Sequence, residues 1–131
     1  MNLKNEQLNI LVVEDDTIAQ LTLSRMLQDM GFTSIQVASD GVTALEIMDT
    51  AGIDILITDV IIKGSINGIE LASAVNKKSD IPILYLTAST EPEYLERIAQ
   101  TQHYGVLEKP YNYDTIQKAI TELISKNPTE E

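Results

Sequence analysis

Ile53-Asp54-Ile55-Leu56-Ile57-Thr58-Asp59 is a run of aliphatic residues that ends on an acid. A strand buried on both faces reads as a nearly continuous aliphatic run, whereas a half-exposed strand alternates apolar and polar residues. Leu8-Asn9-Ile10-Leu11-Val12-Val13 and Ile81-Pro82-Ile83-Leu84-Tyr85-Leu86-Thr87 read the same way. Thr33-Ser34-Ile35-Gln36-Val37-Ala38 and the weaker Tyr104-Gly105-Val106-Leu107-Glu108 complete a set of five strands. The segments that follow them carry helical spacing. Ala19, Leu23, Met26, Leu27 and Met30 line one face of the first helix, with Asp16 or Thr17 as its cap and Gly31 as its stop. Val42, Leu45 and Met48 line the second, closed by Gly52, and Leu71, Ala72 and Val75 line the third. Tyr94, Leu95 and Ile98 line the fourth, with Pro92 suited to its first turn. Ile116, Ala119, Ile120 and Leu123 form the clearest stripe, in the fifth. The alternation is (βα)5. With short connections and right-handed crossovers it predicts a doubly wound, three-layer α/β domain with a five-stranded parallel sheet in the flavodoxin-like order 2-1-3-4-5.

The 131 residues suit one domain spanning 1–131, with a core from about 8 to 125 and frayed ends at roughly the first six residues and at Asn127 to Glu131. With one Phe and no Trp, the core is built from Ile, Leu, Val, Ala and Met. The absence of cysteine excludes a disulfide framework and a thiolate zinc site, and His103, the single histidine, excludes a histidine cluster. What remains for a metal is oxygen, hence a hard cation such as Mg²⁺ or Ca²⁺. A net charge of −11 repels a phosphate backbone, so no direct nucleic-acid partner is expected. No apolar stretch is long enough for a leader or a membrane span, so a soluble, cytoplasmic protein is expected.

In an open parallel α/β sheet, ligands bind beyond the carboxyl ends of the strands, where the strand order reverses. The first strand ends in Glu14-Asp15-Asp16, the third in Asp59, the fourth in Thr87 and the fifth in Lys109-Pro110. Ser39-Asp40, after the second, reads as a helix-capping turn. Each residue has an ordinary structural role open to it: helix capping for the acids, a salt bridge for Lys109, a β-former for Thr87. Together they make one chemistry. Glu14, Asp15 and Asp59 converge if the first and third strands are neighbours, and such acids persist only when protonated or bridged by a cation. Asp59 is then a nucleophile toward a phosphoryl donor, beside a Mg²⁺ site of Glu14, Asp15 and Asp59. Lys109 and the Thr87 hydroxyl share the negative charge of the transferred group.

These residues resemble the response-regulator receiver domains of two-component signalling, over about residues 8 to 125. The motifs are ILVVEDD at 10–16, DILITDV at 54–60, NGIEL at 67–71, YLTAS at 85–89 and LEKPY at 107–111. Each is weak alone; in this order and spacing they are specific. The resemblance, of chemotaxis-regulator type, implies Asp59 as phospho-acceptor, Thr87 as switch hydroxyl, and Ala88 as a small residue that leaves the phosphoryl site open. It implies a cis Lys109–Pro110 bond and a metal ligand from the Ile61 backbone carbonyl. The donor it implies is a histidine kinase or histidine phosphotransfer protein. The resemblance also implies a downstream protein or output domain docking on the face of the fourth helix, fifth strand and fifth helix, and a monomer or weak dimer. It implies, further, no enzyme acting on other substrates but a domain that catalyses its own phosphoryl transfer and slow self-dephosphorylation.

Three features depart from the common pattern. The loop Val60 to Gly68 lacks a Met-Pro pair and is one residue longer. Val106 stands where many receivers carry a switching Tyr or Phe, so output coupling is expected through Thr87 and backbone movement, with Tyr85 or Tyr104 nearby. The plainer expectation for Tyr85, Tyr104, Tyr111 and Tyr113 is that they cover the sheet edge. Ile61 and Ser89 flank the path of the hydrolytic water, and an apolar Ile61 neither orients nor activates it. The alternative function is a pseudo-receiver, a protein-interaction module that works without phosphorylation. A phosphatase with an aspartyl-phosphate intermediate is disfavoured because Ile61 stands where its second acid belongs. A dinucleotide-binding domain or a flavodoxin relative is disfavoured because Glu14-Asp15-Asp16 replaces a phosphate-binding loop.

Overall fold

In the computed structural model, residues 4–88 and 91–125 are described. β1 (Asn9–Val13), β2 (Ser34–Ala38), β3 (Ile55–Asp59), β4 (Ile83–Thr87) and β5 (Gly105–Glu108) alternate with α1 (Thr17–Asp29), α2 (Gly41–Thr50), α3 (Gly68–Asn76), α4 (Pro92–Ala99) and α5 (Tyr113–Ser125). All the pairings are parallel and the order is β2-β1-β3-β4-β5. The (βα)5 fold with its 2-1-3-4-5 sheet is therefore present. No helix among the described residues is long and apolar enough to cross a membrane.

The period of two along each strand sorts the core into two layers. Leu11, Val13, Leu56, Ile83 and Tyr85 face Ala44, Leu71, Ala72, Val75 and Ile98 of α2, α3 and α4. Ile10, Val12, Ile55, Ile57, Leu84 and Leu86 face Leu23, Leu27, Ile116, Ile120 and Leu123 of α1 and α5. β3 and β4 are buried at every residue, as their aliphatic runs require; β2 and β5 are edges with exposed positions.

The helix ends follow local chemistry. Asp16 caps α1 by accepting from the Ile18 and Ala19 amides, and Asp40 caps α2 by accepting from Thr43. Gly31 takes the left-handed conformation that ends α1, at φ +99°. Gly52 does not: α2 stops at Thr50 with Ala51 in extended conformation.

Several expectations need correction. Lys4 to Glu6 are not frayed; Asn5–Gln7 form a 3-10 turn, and the Asn5 amide donates to the Met30 carbonyl at 2.6 Å. The expected fraying of Met1 to Leu3 and of Asn127 to Glu131 lies outside the described residues. Val42 is 49% exposed and Leu95 is 43% exposed, because the buried arcs of their short helices centre on Ala44 and Ile98. Tyr85 does not cover an edge. It is fully buried, and its hydroxyl lies 2.7 Å from Thr101 Oγ1. Thr101 spends its own hydrogen on the Ile98 carbonyl, so Tyr85 is the donor. Tyr104 and Tyr111 pack against the α1/α5 layer.

Tyr85→Phe keeps the ring and deletes the donated bond. It should lower stability by about 1–2 kcal/mol in urea denaturation; a variant as stable as the wild type would show that the hydroxyl contributes nothing.

Candidate functional site

The sheet order decides which side chains meet. β1 and β3 are adjacent with Val13 opposite Thr58, so the next residues, Glu14 and Asp59, emerge side by side. Lys109 follows β5 and reaches them because its amide donates to the Thr87 carbonyl at 2.8 Å, which carries the β4–β5 ladder one residue further. Its ammonium lies 3.1 Å from Glu14 Oε1, 2.8 Å from Asp59 Oδ1 and 3.0 Å from Asp59 Oδ2. Both acids are buried, their side chains 4% and 7% exposed, while the lysine at 27% enters from the open side.

The clustered acids are not equivalent. Glu14 uses both oxygens, Oε1 toward Lys109 and Oε2 accepting from the Asp16 amide at 2.9 Å. Asp15 Oδ2 accepts from the Lys63 amide at 3.0 Å. Asp59 accepts its hydrogen bond from Lys109 at Oδ2; Oδ1 touches the ammonium without hydrogen-bond geometry. Among the described residues, Oδ1 is the buried side-chain oxygen left without a hydrogen bond. Such an atom needs an explanation.

The electrostatics follow. Burial pushes the Asp59 carboxyl up from 3.8 to about 7, and the neighbouring Glu14 adds to this against the opposing pull of Lys109. Burial also opposes ionisation of Glu14. Its contact with Asp59 and its hydrogen bonds from the Asp16 amide and Lys109 outweigh that, and it is held below its ordinary value. Lys109 is held above its own: burial works against the ammonium, and bonds to Asp59 and Glu14 prevail.

One carboxylate oxygen from each of Glu14, Asp15 and Asp59 lies within 4.8 Å of the others. An all-oxygen donor set with an unbonded buried oxygen fits a hard cation, so the acidic pocket is compatible with Mg²⁺. Beside it is a cavity of about 230 Å³ lined by Asp59, Ile61, Leu86, Thr87, Ala88 and Lys109. Sequence reasoning therefore named residues that meet: the acidic trio, Lys109, Thr87, Ala88 and Ile61. The Lys109–Pro110 bond is cis. Val106 is 40% exposed on the edge strand and is not in the cavity lining, and Ile61 is 55% exposed at its rim. Ser89 lies outside the described residues.

Gly68 was missed. It is the first residue of α3, its amide donates to the Val60 carbonyl at 2.8 Å, and any Cβ there would collide with the Asp59 carbonyl. Only glycine lets the helix start this close to the Asp59 backbone. The signal was in the sequence: Asn67 and Glu70 form a reciprocal capping box, the Asn-x-x-Glu pattern that fixes where α3 begins.

Comparison with known proteins agrees with this geometry. A family model described as response regulator receiver domain matches residues 10–121. The chemotaxis protein CheY of Pseudomonas aeruginosa is 29% identical over 122 residues, covering 91% of this chain and 98% of that protein. Chemotaxis protein CheY-3 of Vibrio cholerae is 27% identical over 125 residues, covering 93% and 95%. Among solved structures, the chemotaxis response regulator CheY4 of Vibrio cholerae is 32% identical with a TM-score of 0.81, covering 88% of this chain and 98% of the other. The signal receiver domain of a modulated diguanylate cyclase from Desulfovibrio desulfuricans G20 is 29% identical with a TM-score of 0.86, covering 94% and 98%.

The Asp59 carboxyl gives stability a signed pH dependence. Its folded value, about 7, lies above the ordinary 3.8, so the folded state binds more protons between those values. The contribution is complete below about 4 and lost as pH rises to 7. Without divalent cations, Asp59→Asn should therefore be more stable than wild type at pH 8, by roughly 1–3 kcal/mol. That gap should shrink toward pH 4, where the wild-type carboxyl is neutral. Urea denaturation at the two pH values measures it; a constant gap would contradict the burial of an ionised Asp59.

Proposed function

The chain belongs to the response regulator receiver domain family, and from that premise we propose that it is a phosphorylation switch whose acceptor is Asp59. Receivers are signalling modules, not enzymes that turn over separate substrates. The donor is a histidine kinase or a histidine phosphotransfer protein, the setting is the cytoplasm, and the whole domain, residues 1–131, acts as one unit. The observation that carries the reading is Asp59 Oδ1: a buried carboxylate oxygen without a hydrogen bond, 2.8 Å from an ammonium, on a residue that lines a cavity together with Thr87.

In the proposed transfer, Oδ1 of ionised Asp59 attacks the donor phosphorus. A new O–P bond forms as the bond from phosphorus to the leaving nitrogen or oxygen breaks, and the electron pair departs with the leaving group. Lys109, already against both Asp59 oxygens, provides charge-assisted hydrogen bonds to the phosphoryl oxygens. The Thr87 hydroxyl donates another. Glu14, with both oxygens engaged, stays a fixed negative wall that orients the ammonium. Glu14, Asp15 and Asp59, with the Ile61 backbone carbonyl, would hold Mg²⁺, which when bound supplies positive charge to the phosphoryl oxygens. The acyl phosphate carries about −1.5 to −2 charges at neutral pH. Drawing Thr87 toward it shifts the end of β4 and so the α4, β5 and α5 face, where a downstream protein docks. Thr87 and Tyr85 lie on the same side of β4, and Tyr85 is bonded to Thr101 just beyond α4, which gives that shift a path not requiring an aromatic ring at Val106.

Incubation with acetyl phosphate, with and without Mg²⁺, tests the reading by intact mass. A Mg²⁺-dependent phosphoryl adduct on the wild type, missing from Asp59→Asn, is the expected result. No adduct on folded protein would instead favour a docking module that works without phosphorylation. Ile61, apolar at the rim, should also slow hydrolysis of the adduct by giving the attacking water no polar partner. Ile61→Asn is expected to speed phosphate release severalfold, and an unchanged rate would remove Ile61 from the control of switch lifetime.

A further inference from the structure

The loop between β3 and α3, residues 60–67, packs against Asp15, Asp40 and Gly41. Three contacts tie it down. The Lys63 amide donates to Asp15 Oδ2 at 3.0 Å. Gly64, at φ +107°, brings the chain against Asp40; a Cβ on Gly64 would sit 3.4 Å from the Asp40 Cβ. Ile66, half-buried against the α2/α3 layer, lies on Gly41, the first residue of α2. The fit at Gly41 is close: a Cβ there would overlap Cγ1 of Ile66 and lie 2.6 Å from its Cδ1. Gly41 has no positive φ, so the backbone does not demand glycine; the space for Ile66 does.

We propose that Ile66, seated on Gly41, is a positioning residue that sets how tightly the acidic pocket holds its cation, by fixing the loop whose Lys63 amide orients Asp15. The inference rests on the reading of Glu14, Asp15 and Asp59 as the cation ligands. Asp15 is less enclosed than the other two acids, and its carboxylate accepts a hydrogen bond from this loop. A carboxylate held at one oxygen keeps the other aimed, and loss of such outer partners costs metal affinity about 10–100-fold. Ile66 transmits a disturbance because a β-branched side chain has few rotamers in which to retreat. Pushed from Gly41, it carries the loop with it. The seat lies on α2, so residues that touch neither cation nor phosphate tune the site from the neighbouring helix.

Calorimetric titration of Mg²⁺ into wild type, Gly41→Ala, Ile66→Ala and the double variant tests this on the intact chain. Gly41→Ala should bind Mg²⁺ about tenfold more weakly than wild type. Ile66→Ala, which loses the seat without a clash, should fall between them. The double variant should recover to the Ile66→Ala value, since the smaller side chain makes room for the new methyl. A purely structural glycine would lower the melting temperature of Gly41→Ala and leave its Mg²⁺ affinity at the wild-type value; that result overturns the proposal. So does a double variant as weak as Gly41→Ala. Should Gly41→Ala not fold, Ile66→Ala decides with hydrogen exchange at the Lys63 amide: weaker Mg²⁺ binding with faster exchange supports the latch, and wild-type affinity overturns it. A wild type that binds no Mg²⁺ overturns the cation site itself, and the latch with it, whereas wild-type binding with an indifferent Gly41→Ala overturns the latch alone.

Discussion

A single ammonium, that of Lys109, holds two buried carboxylates together at the mouth of the sheet, and the remainder of the site is arranged around that contact. Side by side without it, Glu14 and Asp59 would repel in a medium that screens poorly. With it, they divide the electrostatic load unequally. Glu14, bonded at both oxygens, is held ionised; Asp59, bonded at one, is driven up to about 7. The pocket is thus one positive charge short of comfort. That shortfall makes the pocket compatible with a divalent cation, and the proposed transfer of a phosphoryl group to Asp59 would draw on the same oxygen.

The fold supplies this contact through register and close approach more than through the site residues themselves. Neighbouring β1 and β3 place the acids side by side, and one extra rung between Thr87 and Lys109 brings the lysine across from the far edge. Glycine at 68 lets α3 begin against the Asp59 carbonyl, and glycine at 41 leaves room for the loop that holds Asp15. Two residues before Thr87, the buried Tyr85 hydroxyl links β4 to Thr101 beyond α4. Asp59 therefore stands in a closely packed frame, and the Tyr85–Thr101 hydrogen bond ties β4 to the segment that follows α4.

Much of this was legible in the sequence, for identifiable reasons. Strands buried on both faces leave unbroken aliphatic runs, so β1, β3 and β4 were visible, and their ends gave Glu14, Asp15, Asp59 and Thr87. Lys109 was visible because a strand pattern, however weak, led to it. What escaped was set by tertiary contact. Val42 and Leu95 fit a helical stripe, yet short helices bury only a narrow arc, and both fell outside it. Tyr85 looked like edge cover, since nothing local shows that Thr101 comes round to receive its hydroxyl. The roles of Gly41 and Gly68 depend on what a Cβ would strike, and that is a property of the folded chain. The first residues looked frayed because the partner of Asn5, the Met30 carbonyl, lies far along the sequence.

Asp59, and not Glu14 or Asp15 beside it, is proposed to take the phosphoryl group, because among the described residues its Oδ1 is the buried side-chain oxygen left without a hydrogen bond. Borohydride reduction of the phosphorylated protein, followed by digestion and peptide sequencing by mass spectrometry, reads the acceptor directly, since an acyl phosphate is converted to a stable alcohol at the residue that bore it. Modification confined to residue 59 is the predicted result. Modification at Glu14 or Asp15, or spread over the three, would contradict it.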